Sequence, residues 1–364
     1  MTTTQSDSSQ ARWLGVVCVL AALVGWSSIP LFLKHFSHSI DPWTSNGWRY
    51  GFSALFWSPV VVMGFAKRSL PAGIWRAAFW PSAINCGAQV VFCWAHYKIE
   101  PGLLAFGLRS NIVFAVIGAA LMFASERKVI RSPMFVAGVT LVIVGTLGTI
   151  LTGKEGLPTG ATLTGVLLAV AAGAGFAGYA LAVRRCMHGF GAIHSFAAIS
   201  LYTAIGMVGL MVALGEGGGL SALDLIGQPI GSAAAGVQSV FPIDQFGFLL
   251  LSALIGIALG HVAYYYAIAK LGVAVSSGVV QLQPFFVSVA SLAIFGELLT
   301  GWQWVCGTVA VLGAVLILVV QHFVKQDAVE RADEPTAMEF AELMPDHVAA
   351  AVVSECDEPC TTAP

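Results

Sequence analysis

Long apolar runs separated by short polar segments dominate this sequence. Because about 20 consecutive apolar residues cross a bilayer as an α-helix, these runs predict ten transmembrane helices. Backbone polar groups inside a membrane must be satisfied within the segment, so helices are the only structure expected for such runs. The predicted spans cover residues 13–33, 45–65, 73–95, 101–124, 134–152, 160–183, 192–214, 246–268, 272–295 and 301–321. The pattern therefore predicts an all-α polytopic membrane protein.

The composition agrees with this prediction. Hydrophobic residues make up 57% of the 364 residues and charged residues only 10%. Soluble domains carry about a quarter charged residues, so this chain has too little charge to coat a water-soluble surface. Residues 325–364 differ from the rest, with ten acidic residues against two basic ones. We interpret this segment as a separate, acidic and disordered tail.

The basic residues predict the orientation in the membrane, because cytoplasmic segments are enriched in lysine and arginine. With the N-terminus inside, the cytoplasmic segments hold twelve basic residues. The outer segments hold three, Lys34, Lys98 and Lys154. Both termini are therefore expected in the cytoplasm. The protein is expected in the plasma (inner) membrane. The longest loop, 215–245, is expected on the outer side.

A weak internal repeat divides the membrane part into two halves. A shift of 171 positions places Gly107 on Gly278 and Glu126 on Glu297, and apolar positions between them also coincide. Each half has an odd number of spans, so the second copy is expected to be inverted, as in many secondary transporters. The predicted organisation is an N-terminal tail (1–12), a first five-helix repeat (13–152), an outer linker (153–159), a second five-helix repeat (160–324) and the tail (325–364).

Several short motifs carry a resemblance to a known family. They are Gly25-Trp-Ser-Ser28, Arg49-Tyr50, Ala124-Ser-Glu-Arg127, Ala263–Val273, Gln283-Pro-Phe-Phe286 and Phe295-Gly-Glu-Leu298. Their order and spacing resemble the EamA-type proteins of the drug/metabolite transporter superfamily, over about residues 13–321. The resemblance implies ten helices in two inverted repeats, and transport of small metabolites such as amino acids or nucleosides, often outward.

Three positions depart from the family pattern. Val113 replaces the proline that is the counterpart of Pro284, and Arg109 stands where relatives often have a small or apolar residue. Gln283 stands where relatives often have glutamate. The resemblance places these positions at the central cavity, so the substrate of a relative does not carry over to this chain.

Arg109 interrupts an otherwise apolar run and is the first candidate site residue. It lies eight residues past Pro101, roughly 12 Å deep in a membrane core about 30 Å thick. A charge there costs at least about 2.5–3.5 kcal/mol, so it is expected to face the protein interior or a wet cavity. One interpretation is an anion anchor, since the guanidinium fork matches a carboxylate. The other is an internal ion pair, or a cap on the carbonyl groups of a broken helix.

Three amides, Asn111, Gln281 and Gln283, lie on matching spans of the two halves. Such side chains bond across helices or to a ligand, and both interpretations stay open. Arg49 is a further candidate ligand, although the resemblance implies an arginine there and favours a structural role.

Trp26, Tyr264 and Tyr265 are candidate walls of a binding pocket, with packing or lipid contact as the alternative for each. His261 is the only histidine deep in a predicted span and is the candidate for proton coupling. A neutral, hydrogen-bonded core histidine is the alternative.

We therefore expect a secondary transporter, with export as the favoured direction, that moves a small polar metabolite, for example a carboxylate-bearing one such as an amino acid, by alternating access. A membrane sensor or scaffold that signals through the acidic tail is the alternative. Enzyme motifs such as H-E-x-x-H and G-x-S-x-G do not occur, and neither a cofactor nor a metal is expected. The candidate partners are the substrate, the lipid bilayer, a second copy of the chain as a homodimer, and a cytosolic protein bound to the tail. Nucleic acid is not expected as a partner.

Overall fold

The computed structural model describes residues 3–67, 70–123, 127–153, 160–187, 189–230, 243–271 and 273–331. These residues are helical almost throughout, which confirms the all-α prediction. The long helices are α1 (Thr3–Phe36), α2 (Pro42–Ala66), α3 (Ile74–His96), α4 (Pro101–Gly107 and Asn111–Met122), α5 (Pro133–Leu151), α6 (Gly160–Cys186), α7 (Ala192–Leu214), α8 (Gln245–Ala253, Leu254–Leu259 and Gly260–Leu271), α9 (Val273–Val280 and Gln283–Phe295) and α10 (Gly301–Arg331). Shorter helical segments are Arg127–Ile130 and the 3-10 segment Glu216–Leu225.

Within the described residues, eight helices are long and apolar enough to cross a membrane. They lie in α1 and in α4 to α10. The helices α2 and α3 cover the predicted spans 45–65 and 73–95 and are 25 and 23 residues long. Buried polar residues such as Asn46, Arg49 and Asn85 lower the hydropathy of these two helices. The helices are therefore long enough to cross a membrane but less apolar than the other eight.

Helix is present inside both predicted tails. The first helix begins at Thr3, inside the predicted tail 1–12, and α10 continues to Arg331, inside the predicted tail 325–364. A helix that has formed extends readily, because each added residue contributes one hydrogen bond, and neither segment contains glycine or proline to stop it. Residues 332–364, with most of the acidic tail, and residues 154–159 of the linker lie outside the described residues.

The contacts between helices have a regular pattern. The most extensive contact joins α5 to α10, followed by α3 with α6, α2 with α7 and α1 with α8. Further contacts join α4 to α6, α1 to α9, and α4 to α9. The second half is expected to repeat the first, so that α1 corresponds to α6, α2 to α7, and α5 to α10. When each helix is replaced by its counterpart, the pair α3–α6 becomes α8–α1 and the pair α4–α6 becomes α9–α1. The same set of pairs results, as expected for two related five-helix halves.

The α5–α10 contact is unusually close because glycines line it. A Cβ atom at Gly145 would lie 2.6 Å from the carbonyl oxygen of Cys306 and nearer still to the backbone nitrogen of Ala310. A Cβ at Gly313 would lie 2.7 Å from the carbonyl oxygen of Gly138. Small residues let helices in lipid approach until their backbones touch, which increases the van der Waals contact between them.

Asp41 connects α2 to the segment that follows α7. Its Oδ1 atom accepts hydrogen bonds from the backbone nitrogens of Trp43 and Thr44, at 2.9 and 3.0 Å, and so caps the first turn of α2. Its Oδ2 atom accepts one from the backbone nitrogen of Glu216, at 3.0 Å. Burial raises the pKa of Asp41, but the hydrogen bonds from Thr44, Glu216 and Trp43 outweigh it, so the pKa lies below its usual range.

Replacement of Asp41 with asparagine should therefore have a pH-dependent effect. A carboxyl group with a lowered pKa stabilises the fold above its unfolded-state pKa of about 3.9, and this contribution disappears as the pH falls through the folded-state pKa. We expect the wild type to melt at a higher temperature than Asp41→Asn at pH 7, and the difference to shrink progressively as the pH falls below about 4. Thermal unfolding in detergent across this range measures it, with exposed Asp224→Asn as the control. A difference that stays constant with pH would contradict the role of the carboxylate.

Candidate functional site

The helices α4 and α9 are both interrupted near their middle. In α4 the interruption is the 3-10 turn Leu108–Ser110, and in α9 it is a turn at Gln281 and Leu282. The 171-residue shift places the turn of α4 on residues 279–281, so the interruptions fall at corresponding positions of the two halves. An interrupted helix leaves backbone groups that need other partners inside a membrane, and in transporters such positions line the binding site.

Arg109 lies in the α4 turn and reaches across to the α9 turn. Its Nη1 atom donates to Oε1 of Gln281 and its Nη2 atom to Oε1 of Gln283, both at 3.0 Å. A longer contact of 3.5 Å joins Nη1 to the carbonyl oxygen of Val280. The Nε2 atom of Gln283 in turn donates to the carbonyl oxygen of Trp26 in α1, at 2.9 Å. We call these four residues, Arg109, Gln281, Gln283 and Trp26, the central network; it links α4, α9 and α1.

The positive charge of Arg109 has no counter-ion in the described part of the chain. Its side chain is 4% exposed, and its hydrogen-bond partners are neutral amide and carbonyl oxygens. The Nε atom is buried and has no partner among the described residues. Removing an ion from water costs several kcal/mol unless a charge of opposite sign compensates it. The central network therefore presents an uncompensated cation with one free donor.

Aromatic rings surround the Trp26 side of the network. The rings of Trp26 and Tyr264 are 4.8 Å apart, and those of Trp26 and His261 are 5.3 Å apart. Tyr264 shares a hydrogen bond of 2.9 Å with Ser277 of α9. The indole nitrogen of Trp26 is buried without a partner in the described structure. The side chain of Tyr265 lies outside the described residues.

His261 lies next to this wall. Its Nδ1 atom is 3.0 Å from the carbonyl oxygen of Ile257, so Nδ1 carries the proton and donates it. The His261 ring also contacts Phe196, with centroids 5.4 Å apart. This hydrogen bond fits a neutral core histidine as well as a proton carrier, so the proton-coupling role stays a prediction.

Arg49 and Asn111 are not hydrogen-bonded to the central network. Arg49 is 2% exposed and its Nε atom donates to the hydroxyl of Ser252, at 2.9 Å, just before the π-helical turn of α8. Its Nη2 atom is buried without a partner in the described part. Asn111 begins the second part of α4, and its backbone packs against Gly173 of α6. Their predicted contacts with the substrate stay predictions.

Two serines and one glutamate were missed as candidates. Ser252 and Ser277 are partners of predicted residues. Ser277 lies one helical turn before Gln281, which was the available signal, whereas Ser252 has only apolar residues and glycine one turn away. Glu297 entered the sequence analysis only through the internal repeat and a family motif. Its Oε2 atom accepts a hydrogen bond from the backbone nitrogen of Gly102, at 3.1 Å, and caps α4 from the other half of the chain. Gly296 makes this geometry available, since its φ of +70° ends α9.

Glu297 should respond to pH in the opposite sense to Asp41. Burial raises its pKa, and the hydrogen bond from the backbone nitrogen of Gly102 offsets this only in part. A carboxyl group with a raised pKa stabilises the fold most when protonated, so its contribution disappears as the pH rises through the folded-state pKa. We expect Glu297→Gln to be about as stable as the wild type at pH 4 and more stable at pH 8, in thermal unfolding in detergent. A wild type that is the more stable at pH 8 would show that the charged carboxylate is favoured.

An apolar crevice of about 200 Å³ lies beside the α4 turn. It is lined by Ile99, Leu103, Gly107, Thr146, Thr149, Ile150, Val166 and Ala169. The crevice has no space wide enough for a water molecule and does not include Arg109. It offers no charged group, so we assign the candidate site to the central network.

Comparison with known proteins gives one clear similarity. The model of the EamA-like transporter family matches residues 13–151 and 163–319, one match for each half of the chain. Among the curated proteins, none matches this chain. A solved structure described as "Crystal structure of protein" is 16% identical, with a TM-score of 0.48, and the similarity covers 90% of this chain and 99% of that one.

Proposed function

This chain belongs to the EamA-like transporter family, and from that premise we propose that it carries a small carboxylate-bearing metabolite, such as an amino acid, across the membrane by alternating access. Membership of the family makes it a multi-pass membrane transporter of small molecules rather than an enzyme. The substrate class, the outward direction and the mechanism are our proposals.

We propose further that ten helices cross the membrane as two inverted halves, with both termini in the cytoplasm and the protein in the plasma (inner) membrane. The pairing of helices, which is unchanged when the halves are exchanged, supports the two-half arrangement. Most polar residues of α2 and α3, including Arg49 and Asn85, are buried against other helices, so these helices can cross the membrane with few polar groups facing lipid. The halves would rock about the central network.

The buried, uncompensated charge of Arg109 is the observation that carries the substrate class. A carboxylate would supply the missing negative charge and an acceptor for the free Nε–H, and the guanidinium fork suits its two oxygens. Gln281, Gln283 and Asn111 would orient the solute. Trp26, Tyr264 and Tyr265 would wall the apolar part of the pocket, Arg49 would attract the anion along its path, and His261 is the proposed site of any proton coupling.

Flux measurements with matched solutes test this proposal. Purified protein is screened against a metabolite panel for ligands that raise its melting temperature, and each hit is assayed in liposomes beside its primary amide. We expect the carboxylate form to be transported at least about tenfold faster than the amide, since an unpaired buried charge costs more than about 1.4 kcal/mol. Equal fluxes of the two forms would contradict a carboxylate site.

A further inference from the structure

The two amide oxygens that bind Arg109 occupy the two donor nitrogens that a carboxylate would use. Gln281 and Gln283 each place one Oε1 atom 3.0 Å from a different Nη atom of the same guanidinium. A carboxylate that binds the end of a guanidinium uses the same two nitrogens with two parallel hydrogen bonds. A substrate carboxylate bound to this end of Arg109 would therefore have to displace at least one of the amides.

The amides are neutral, so they satisfy the donors of Arg109 without forming a permanent ion pair. Gln281 is 7% exposed, and both amides lie in or directly after the turn of α9. A glutamate at either position would neutralise Arg109 and compete strongly with a substrate. An amide gives a weaker hydrogen bond than a carboxylate does, and a substrate carboxylate can replace it.

Gln283 also connects two helices. Its oxygen binds Arg109 of α4 while its nitrogen donates to the carbonyl oxygen of Trp26 in α1, at 2.9 Å. Displacement of this amide would weaken the link between α4, α9 and α1. Occupation of the site by a carboxylate and the arrangement of the three helices are coupled through this side chain.

For net transport, a carrier must return across the membrane without a solute. A guanidinium without acceptors would have to be buried unsatisfied in that step, which is costly. We propose that Gln281 and Gln283 take the place of the substrate carboxylate during the return step, so that the carrier performs net transport and is not restricted to one-for-one exchange. The proposal rests on the proposed carboxylate transport at Arg109.

The double variant Gln281→Leu/Gln283→Leu tests this proposal. Liposomes loaded with a transported carboxylate are diluted either into solute-free buffer, which measures net efflux, or into buffer with the same solute, which measures exchange. For the wild type we expect net efflux within about threefold of exchange. For the double variant we expect net efflux to fall at least about tenfold relative to exchange, which corresponds to about 1.4 kcal/mol.

Gln303→Leu is the matched control. Gln303 is 6% exposed, donates to the carbonyl oxygen of Thr149 and lies outside the central network, so its replacement should leave the ratio of net efflux to exchange unchanged. Gln283→Glu should lower both rates, because it gives Arg109 a permanent partner.

The possible results separate this proposal from the one it rests on. An unchanged ratio in the double variant, with both rates high or both equally reduced, overturns the return-step role of the amides and leaves carboxylate transport in place. A wild type that exchanges the solute but shows no net efflux also overturns it. Absence of carboxylate flux in both modes of the wild type overturns the proposed function itself.

Discussion

Replacing Arg109 with alanine is expected to lower the flux of a carboxylate-bearing solute by about a hundredfold. Truncation of one member of a buried charge pair costs about 2–5 kcal/mol, and a hundredfold corresponds to about 2.7 kcal/mol. In this chain the loss would arise because no other cation contacts the central network in the described structure. Flux into liposomes, with the carboxylate and its primary amide assayed side by side, measures the effect.

Arg109→Lys is the control for charge alone. Lysine keeps the positive charge but loses the planar fork that binds Gln281 and Gln283 together, so we expect a loss of about tenfold, between wild type and alanine. The primary amide should be transported at the same low rate by all three proteins. An equal loss of flux for the carboxylate and the amide, together with a lower melting temperature, would identify Arg109 as a structural arginine that holds α4 against α9.

Replacing Gly145 with alanine is expected to give the largest loss of stability. The new Cβ would meet two backbone atoms of α10, the carbonyl oxygen of Cys306 and the nitrogen of Ala310, and backbone atoms cannot move aside as a side chain can. Overpacking typically lowers the free energy of unfolding by about 1–3 kcal/mol. Because the new Cβ would meet backbone atoms, we expect a loss at the upper end of this range or above it. A large decrease in melting temperature in detergent is the expected result.

Two other glycines provide matched controls for Gly145. Gly209 lies in the middle of α7, and a Cβ there would meet nothing within 4 Å. Because alanine is a better helix former than glycine, Gly209→Ala should be neutral or stabilising. Gly148→Ala would meet only the side chain of Cys306 and should fall between the two. If Gly145→Ala melted at the same temperature as Gly209→Ala, the close α5–α10 contact would not be a source of stability.

The helical fold and most of the helix positions could be predicted from the sequence, because apolar runs of bilayer length permit no other structure. The limits of the helices were harder to predict. Hydropathy placed tails at 1–12 and 325–364, yet helix continues from Thr3 and to Arg331, since helix propagation does not require apolar residues. Buried polar residues in α2 and α3 give these helices weaker apolar runs than the other eight.

The candidate site was predictable as a set of residues but not as a network. Arg109, Gln281, Gln283 and Trp26 each stood out as polar or amphipathic groups in apolar runs, and the repeat placed Arg109 on Val280, next to Gln281. The sequence contains no distance between residues more than 170 positions apart, so the hydrogen bonds of Arg109 to the two glutamines could not be predicted. Arg109 bonds mainly to two side-chain amides and reaches a carbonyl group of α9 only through the 3.5 Å contact with Val280, so neither the cap nor the ion-pair interpretation describes its main hydrogen bonds. The anion-anchor interpretation uses the charge and the Nε–H that remain.

Binding of a carboxylate by Arg109 is the central claim, and a thermal shift measures it most directly. A ligand that binds only the folded protein raises the melting temperature by an amount that grows with the logarithm of its concentration divided by its Kd, independently of any transport step. We predict that a transported carboxylate raises the melting temperature of the wild type, that its primary amide does not, and that Arg109→Ala shows no increase with either. An increase of equal size in Arg109→Ala would contradict the claim, because the carboxylate would then bind elsewhere.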